Sequence, residues 1–151
     1  MKTGYFPNEE RANSANYTVL SISKMFDKSI LKGQQDTPLT SQDIETIDQL
    51  IHHAVETYNA AQMARYKAWI EKNQNVNTDR FLIDLAKYRR QYFCAANDEG
   101  EKEVWVNCFC DEPKWWRTGL VFVLDGGKCY FQLAINLHTK KVLSFATNGE
   151  A

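Results

Sequence analysis

Between Cys129 and Leu137 the chain alternates with period two. Cys129, Phe131, Leu133, Ile135 and Leu137 are apolar, while Tyr130, Gln132, Ala134 and Asn136 form a mixed set. Successive side chains of a strand point to opposite faces, so this pattern demands a sheet with one face in a core and the other put to a different use. The apolar run Leu120–Leu124 and then Asp125-Gly126-Gly127 precede it. Glycine tolerates the positive φ of a tight primed turn, so the spacing predicts a hairpin with a strand on either side. A polar turn and a last strand, Val142–Thr147, follow.

Two further strands are expected upstream, Tyr88–Ala96 and Glu103–Cys110, joined by Asn97-Asp98-Glu99-Gly100 as a type I turn with Gly100 left-handed. In the second of them Val104, Val106 and Cys108 share one face, and Trp105, Asn107 and Phe109 share the other. Pro113 cannot donate to a ladder, which makes Asp111–Trp116 a loop. Residues 87–148 therefore read as an antiparallel sheet of four or five strands.

Residues 38–77 read as one long helix. Thr40 is a good N-cap, Asp43 completes a capping-box-like pair, and Leu39 can staple to Ile44. Ile44, Ile47, Ile51, Val55, Tyr58, Met63, Tyr66 and Ile70 keep one stripe inward, and Asn73–Asn77 ends the pattern. About 33 residues of helix would span roughly 50 Å against roughly 30 Å for a nine-residue strand. Such a helix must overhang the sheet, curve, or kink near Asn59-Ala60-Ala61. Before it, residues 1–37 read as an arm to Asn16 and then a helix over Tyr17–Leu31. That helix would carry Val19, Ile22, Met25, Phe26 and Ile30 inward, with Gly33 as its cap. A strand from Tyr17 to Ile22 is the competing reading.

The whole, 151 residues, is expected to be a single α+β domain: the helix packed on the sheet, with the N-terminal segment folded over it. A net charge of −1 and a pI near 6.3 favour neither nucleic acid nor an anionic membrane as partner. No run approaches the ~18 apolar residues of a membrane span, and the first residues lack the apolar core of a leader. The expectation is cytoplasmic, or exported if a leader was removed.

Little in the spacing nominates chemistry. Cys94, Cys108, Cys110 and Cys129 lack paired zinc spacing and are expected to be reduced, structural thiols, with a disulfide or a metal as the alternatives. His52 and His53 are neighbours on the long helix and make no His-Glu-x-x-His; His138 sits in a turn. No phosphate loop, nucleophile elbow or dinucleotide fingerprint occurs, so no cofactor and no metal are expected.

The aromatic residues carry more. Trp105, Asn107, Phe109, Tyr130 and Gln132 share the face turned away from Val104, Val106, Phe131 and Leu133, and Trp115 and Trp116 lie in the adjoining loop. An uncovered face of this kind would bind a protein or small ligand, or pair two copies of the chain. Alternatively, Val19, Ile22, Met25 and Phe26 cover it. The functional expectation is a non-catalytic binding or interaction protein using these seven residues. The alternative is a small-molecule hydrolase or isomerase, with a pocket between sheet and helix and His52 or His53 as base.

The order of elements from Thr40 to Asn148, a long helix and then an antiparallel meander, is similar to the cystatin-like arrangement, in which a sheet wraps one helix. The stretch from Asp125 to Leu137 and the ending Asn148-Gly149-Glu150-Ala151 look like small bacterial proteins of this build that have no assigned function. The inhibitory Gln-x-Val-x-Gly loop of cystatins is missing, the equivalent turns being Asn97–Gly100 and Asp125–Gly127. The resemblance implies a fold and does not imply protease inhibition.

Overall fold

The computed structural model describes residues 15–73 and 75–149, so the arm expected over Met1–Asn16 lies outside the described residues but for its last two. Five strands form one sheet in the order β1 (Tyr17–Val19), β2 (Arg89–Ala96), β3 (Lys102–Phe109), β4 (Tyr130–Asn136) and β5 (Lys141–Thr147). Strands β2 to β5 are an antiparallel meander, while β1 runs parallel to β2, so the sheet is mixed.

The helix α1 (Ser41–Arg65) starts as its sequence dictates. The Asp43 N–H donates to Thr40 Oγ1 at 3.0 Å, and the Thr40 N–H donates to Asp43 Oδ2 at 2.9 Å. Lys102 Nζ, 2.7 Å from the same Asp43 oxygen, ties this cap to the start of β3. Ile44, Ile47, Ile51 and Val55 bury against Val104, Val106, Phe131, Leu133 and Ile135, which are wholly buried. Each large apolar side chain removed from water here contributes about 1.5–3 kcal/mol, and this interface holds the largest of the buried clusters. It also takes in one charge. Arg90 on β2 is 4% exposed, reaches Asp48 Oδ1 at 2.7 Å and Tyr92 Oη at 3.2 Å, and leaves its Nε without a partner.

The helix does not kink at Asn59–Ala61. It breaks at Tyr66 (φ −102°, ψ 13°), and a short α2 (Lys67–Lys72) leads away. Asn59 stays helical because its amide brackets the returning chain, accepting from the Ile83 N–H at 2.8 Å and donating to the Ile83 carbonyl at 2.9 Å. Past the end of the sheet the apolar stripe is only partly covered: Tyr66 packs on Phe81 at 4.9 Å, but Met63 is 40% exposed.

Three expectations need correcting. The segment Tyr17–Leu31 is not a helix: it is β1 followed by two 3₁₀ turns, Ile22–Lys24 and Lys28–Ile30. The open edge of β2 recruits it, for Tyr17 stacks on Tyr92 at 5.1 Å and Thr18 is fully buried. Gly33 caps no helix either, since it lies so close to β2 that a Cβ there would meet the Ala96 carbonyl oxygen at 2.1 Å.

Leu120–Leu124 is not a strand, and Asp125-Gly126-Gly127 makes no hairpin. Strand β4 pairs directly with β3, Phe109 opposite Tyr130, so the chain between them is expelled over the second face. The glycines still supply positive φ, 92° at Gly126 and 60° at Gly127, and lead into the 3₁₀ turn Gly127–Cys129.

Nor are all four cysteines free. Cys110 and Cys129, each just outside its strand, are joined with sulfurs 2.03 Å apart and Cα atoms 5.0 Å apart. Phe109–Tyr130 is the last pair of the β3–β4 ladder, which brings the next residue on either side within bridging reach. The expectation of buried thiols holds for Cys94 and Cys108.

Candidate functional site

The second sheet face is roofed, and its polar residues are what hold the roof. Gln91, Asn107 and Gln132 stand side by side on β2, β3 and β4. The Gln91 amide donates to the carbonyls of Trp116 at 2.7 Å and Gly119 at 2.6 Å. Its Oε1 accepts from the Val121 N–H and from Asn107 Nδ2, both at 3.0 Å. Asn107 Nδ2 also reaches the Val121 carbonyl at 2.7 Å. At the far end Asn148 Nδ2 donates to the carbonyls of Val123 and Asp125 at 2.6 and 2.9 Å. Side-chain amides thus do for the backbone of Trp116, Gly119, Val121, Val123 and Asp125 what a neighbouring strand would do.

That arrangement decides where each expected site residue lies. Phe109 is fully buried beneath Trp116 and Val121, its ring 5.8 Å from that of Trp116. Asn107 and Trp116 are buried too, at 2% and 4% exposed. Phe109 and Trp116 are interior, while Asn107, though nearly buried, still lines the groove described below. Trp105 is half-buried, packed with Phe93 under the N-terminal segment, where Met25 and Leu31 close a second small core. Tyr130 and Gln132 are half-buried, and Trp115, at 52% exposed, stands out from the loop. The one cover foreseen for this face is present in part: the N-terminal segment roofs the Phe93–Ala95–Trp105 half, while the loop 113–125, which the sequence did not announce as a cover, roofs the Phe109 half.

Between the two roofs a groove of about 240 Å³ stays open. Trp105, Tyr130 and Gln132 form its floor, and Phe26, Phe122 and Leu124 stand on its rim. The rim is unusually apolar for a surface: Leu124 is 82% exposed, Phe26 74%, and Phe122 48%. Phe26 and Phe122 stack across it at 4.6 Å, so each roof contributes one ring. Burial, and then the carboxylates of Asp111 and Asp125, raise the Tyr130 phenol above its ordinary pKa and keep it a neutral hydrogen-bonding group. The sequence reading turned Phe26 inward and placed Leu120–Leu124 in a strand. A run of five apolar residues between two turn-rich stretches was the signal that some of them face out.

His52 and His53 lie on the exposed side of α1. His52 Nδ1 lies 2.9 Å from the Asp48 carbonyl oxygen and 3.5 Å from Asp48 Oδ2, both on its own helix. The helix–sheet interface beneath is filled by Ile47, Ile51, Val106 and Leu133, all fully buried, so neither histidine overlooks a pocket there. Among the described residues, no group of three or more His, Cys, Asp or Glu could hold a metal ion, and no helix is long and apolar enough to cross a membrane. Compared with known proteins, the chain matches no family model, no curated protein and no solved structure.

Proposed function

We propose that the protein is a binding module that takes a large apolar side chain of a partner into the groove between its two roofs. The observation that carries this reading is the convergence of Phe26, Phe122 and Leu124, all exposed, on one mainly apolar hollow. Exposed apolar residues scattered singly need no explanation, whereas a contiguous set around a concavity marks an interaction site. At about 240 Å³ the groove is smaller than the roughly 300–1,000 Å³ of small-molecule sites, which suits one anchoring ring or branched chain. Binding energy concentrates in such anchors. The Cys110–Cys129 bond supports a working environment oxidising enough to keep it, in place of the cytoplasmic expectation.

The test needs no identified partner. N-acetyl-tryptophanamide titrated into isotopically labelled protein should shift the Trp105 indole and Gln132 side-chain amide resonances with millimolar affinity. Phe26→Ser and Leu124→Asp, both at exposed positions, should each weaken that binding several-fold without lowering the melting temperature. Absent shifts, or shifts that survive both substitutions, would overturn the reading. Concentration-dependent association lost in Leu124→Asp would identify the partner as a second copy of the chain.

A further inference from the structure

At the C-terminal end of α1 a second cleft, of about 430 Å³, differs in kind from the groove. Three cations reach it from three separate elements: Arg65 from the last turn of α1, Arg80 from the 3₁₀ turn Thr78–Arg80, and Lys128 from the 3₁₀ turn Gly127–Cys129. Among the described residues none of the three lies within 4.0 Å of a carboxylate, in a chain whose net charge is −1. Asp79 is the one acidic side chain in the lining, and it sits 3.7 Å from Lys87 Nζ. Arg65 and Arg80 are exposed, Arg65 lying over the Tyr66 ring at 5.4 Å, and like charges lining one concavity repel one another, which an anion would offset. Burial, with repulsion from Lys87 acting in the same direction against the pull of Asp79, lowers the Lys128 ammonium below its ordinary pKa.

The remaining wall is aromatic. Tyr58, Tyr66 and Phe81 line it, with Tyr66 and Phe81 4.9 Å apart. Each cation-bearing element is pinned. The Asn59 amide holds Ile83 just beyond the Arg80 turn, Tyr88 Oη donates to the Lys128 carbonyl at 2.7 Å, and the Cys110–Cys129 bond ties down the next residue. A cleft so supported can hold its charges close together without collapsing around them.

We propose that this cleft binds a small organic anion with an aromatic body, its phosphate-type head held by Arg65, Arg80 and Lys128 and its ring against Tyr66 and Phe81. Planar guanidinium forks suit phosphate and carboxylate oxygens, and the rings supply the apolar contact. The inference does not rest on the groove reading, although the two hollows adjoin and share Asn148 in their linings.

Calorimetric titration with three probes tests it: phenyl phosphate, inorganic phosphate and benzyl alcohol. Phenyl phosphate should bind at least about tenfold tighter than either of the others, and raising the salt from 50 to 500 mM should weaken it. Arg80→Ala and Lys128→Ala should each reduce its affinity about tenfold, while Lys141→Ala, on β5, should leave it unchanged. Melting curves of all three variants establish that they are folded; should Lys128→Ala unfold, Lys128→Gln takes its place. Inorganic phosphate binding as tightly as phenyl phosphate would show a bare anion site and overturn the aromatic half of the proposal. Benzyl alcohol binding as tightly, or full affinity in both charge variants, would overturn the whole.

Discussion

Replacing Gln91 by leucine should detach the roof from the sheet. The side chain makes four hydrogen bonds, to the carbonyls of Trp116 and Gly119, from the Val121 N–H and from Asn107 Nδ2. Leucine matches its bulk and makes none of them. A typical buried hydrogen bond is worth about 1 kcal/mol net, and a partner left unsatisfied costs about 1–3 kcal/mol. Four such losses sum to about 4 kcal/mol or more, less whatever the loop regains by lifting into water. A net cost of about 3–4 kcal/mol is therefore expected. Gln132→Leu is the matched control, because both contacts of that amide are long, 3.4 Å to Asn107 Oδ1 and 3.4 Å to Asn148 Oδ1. Bonds of that length contribute little, so it should cost less than about 1 kcal/mol. Urea melts give both numbers. Limited proteolysis should show the Gln91→Leu chain cut within residues 111–125 while the strands resist. If the two variants melt within about 1 kcal/mol of each other, and neither is cut faster than the parent, the amide row is incidental. Something else would then hold the loop.

Two further outcomes follow from the same packing. Phe131→Ala should destabilise by about 3–5 kcal/mol in denaturant melts, since the ring is fully buried between Tyr88 and Phe145 at 5.1 and 5.4 Å. Tyr130→Ala, half-buried at the groove, should cost noticeably less, and equal costs would mean that the groove floor is core. Thiol titration of denatured, unreduced protein should find two groups, and reduction should cost about 3 kcal/mol for a bridge between residues 19 apart in sequence. Burial pushes both Cys94 and Cys108 from 9.0 up to about 12. Stability from keeping them neutral is therefore complete below about pH 9 and lost as the pH climbs towards 12. Native protein should accordingly resist alkylation at pH 8, and four groups in the titration, or ready alkylation, would contradict this account.

Much of the meander and the helix start was legible because local rules govern them. Alternation assigned Phe131, Leu133 and Ile135 to one face, and Thr40 with Asp43 announced the helix. The misreadings share a physical cause. Tyr17–Val19 and Leu120–Leu124 are both β-rich by composition, and their fates were set by which sheet edge or face stood vacant. One found the free edge of β2. The other met a β3 already paired with β4, and could satisfy its backbone only on side-chain amides. The disulfide was illegible for a related reason. Cys129 continues the period-two pattern of β4, yet it belongs to the 3₁₀ turn before that strand, and only the β3–β4 register places it beside Cys110.

The question posed by the sequence, whether the aromatic face is open or covered, presumes that a cover and a binding surface exclude each other. In this fold the cover itself carries the exposed apolar rim on which the proposed binding rests. Gln91 and Asn107 fix Val121 inward, and the alternation that fixes one residue inward sends Phe122 out, to 48% exposure beside Phe26. The same segment ends in Gly126-Gly127 and Cys129, which carry Lys128 into the charged cleft at the C-terminal end of α1. One stretch between β3 and β4 thus shapes two sites of opposite character, an apolar groove at its middle and a cationic cleft at its end. Loosening its middle should blur the groove first. Breaking the Cys110–Cys129 bond should disturb the cleft first, because the bond adjoins Lys128 and the amide row holds the chain farther upstream. Phenyl phosphate affinity that falls on reduction, with N-acetyl-tryptophanamide shifts preserved, is the pattern this division of labour requires. Equal loss of both would mean that the stretch moves as one body.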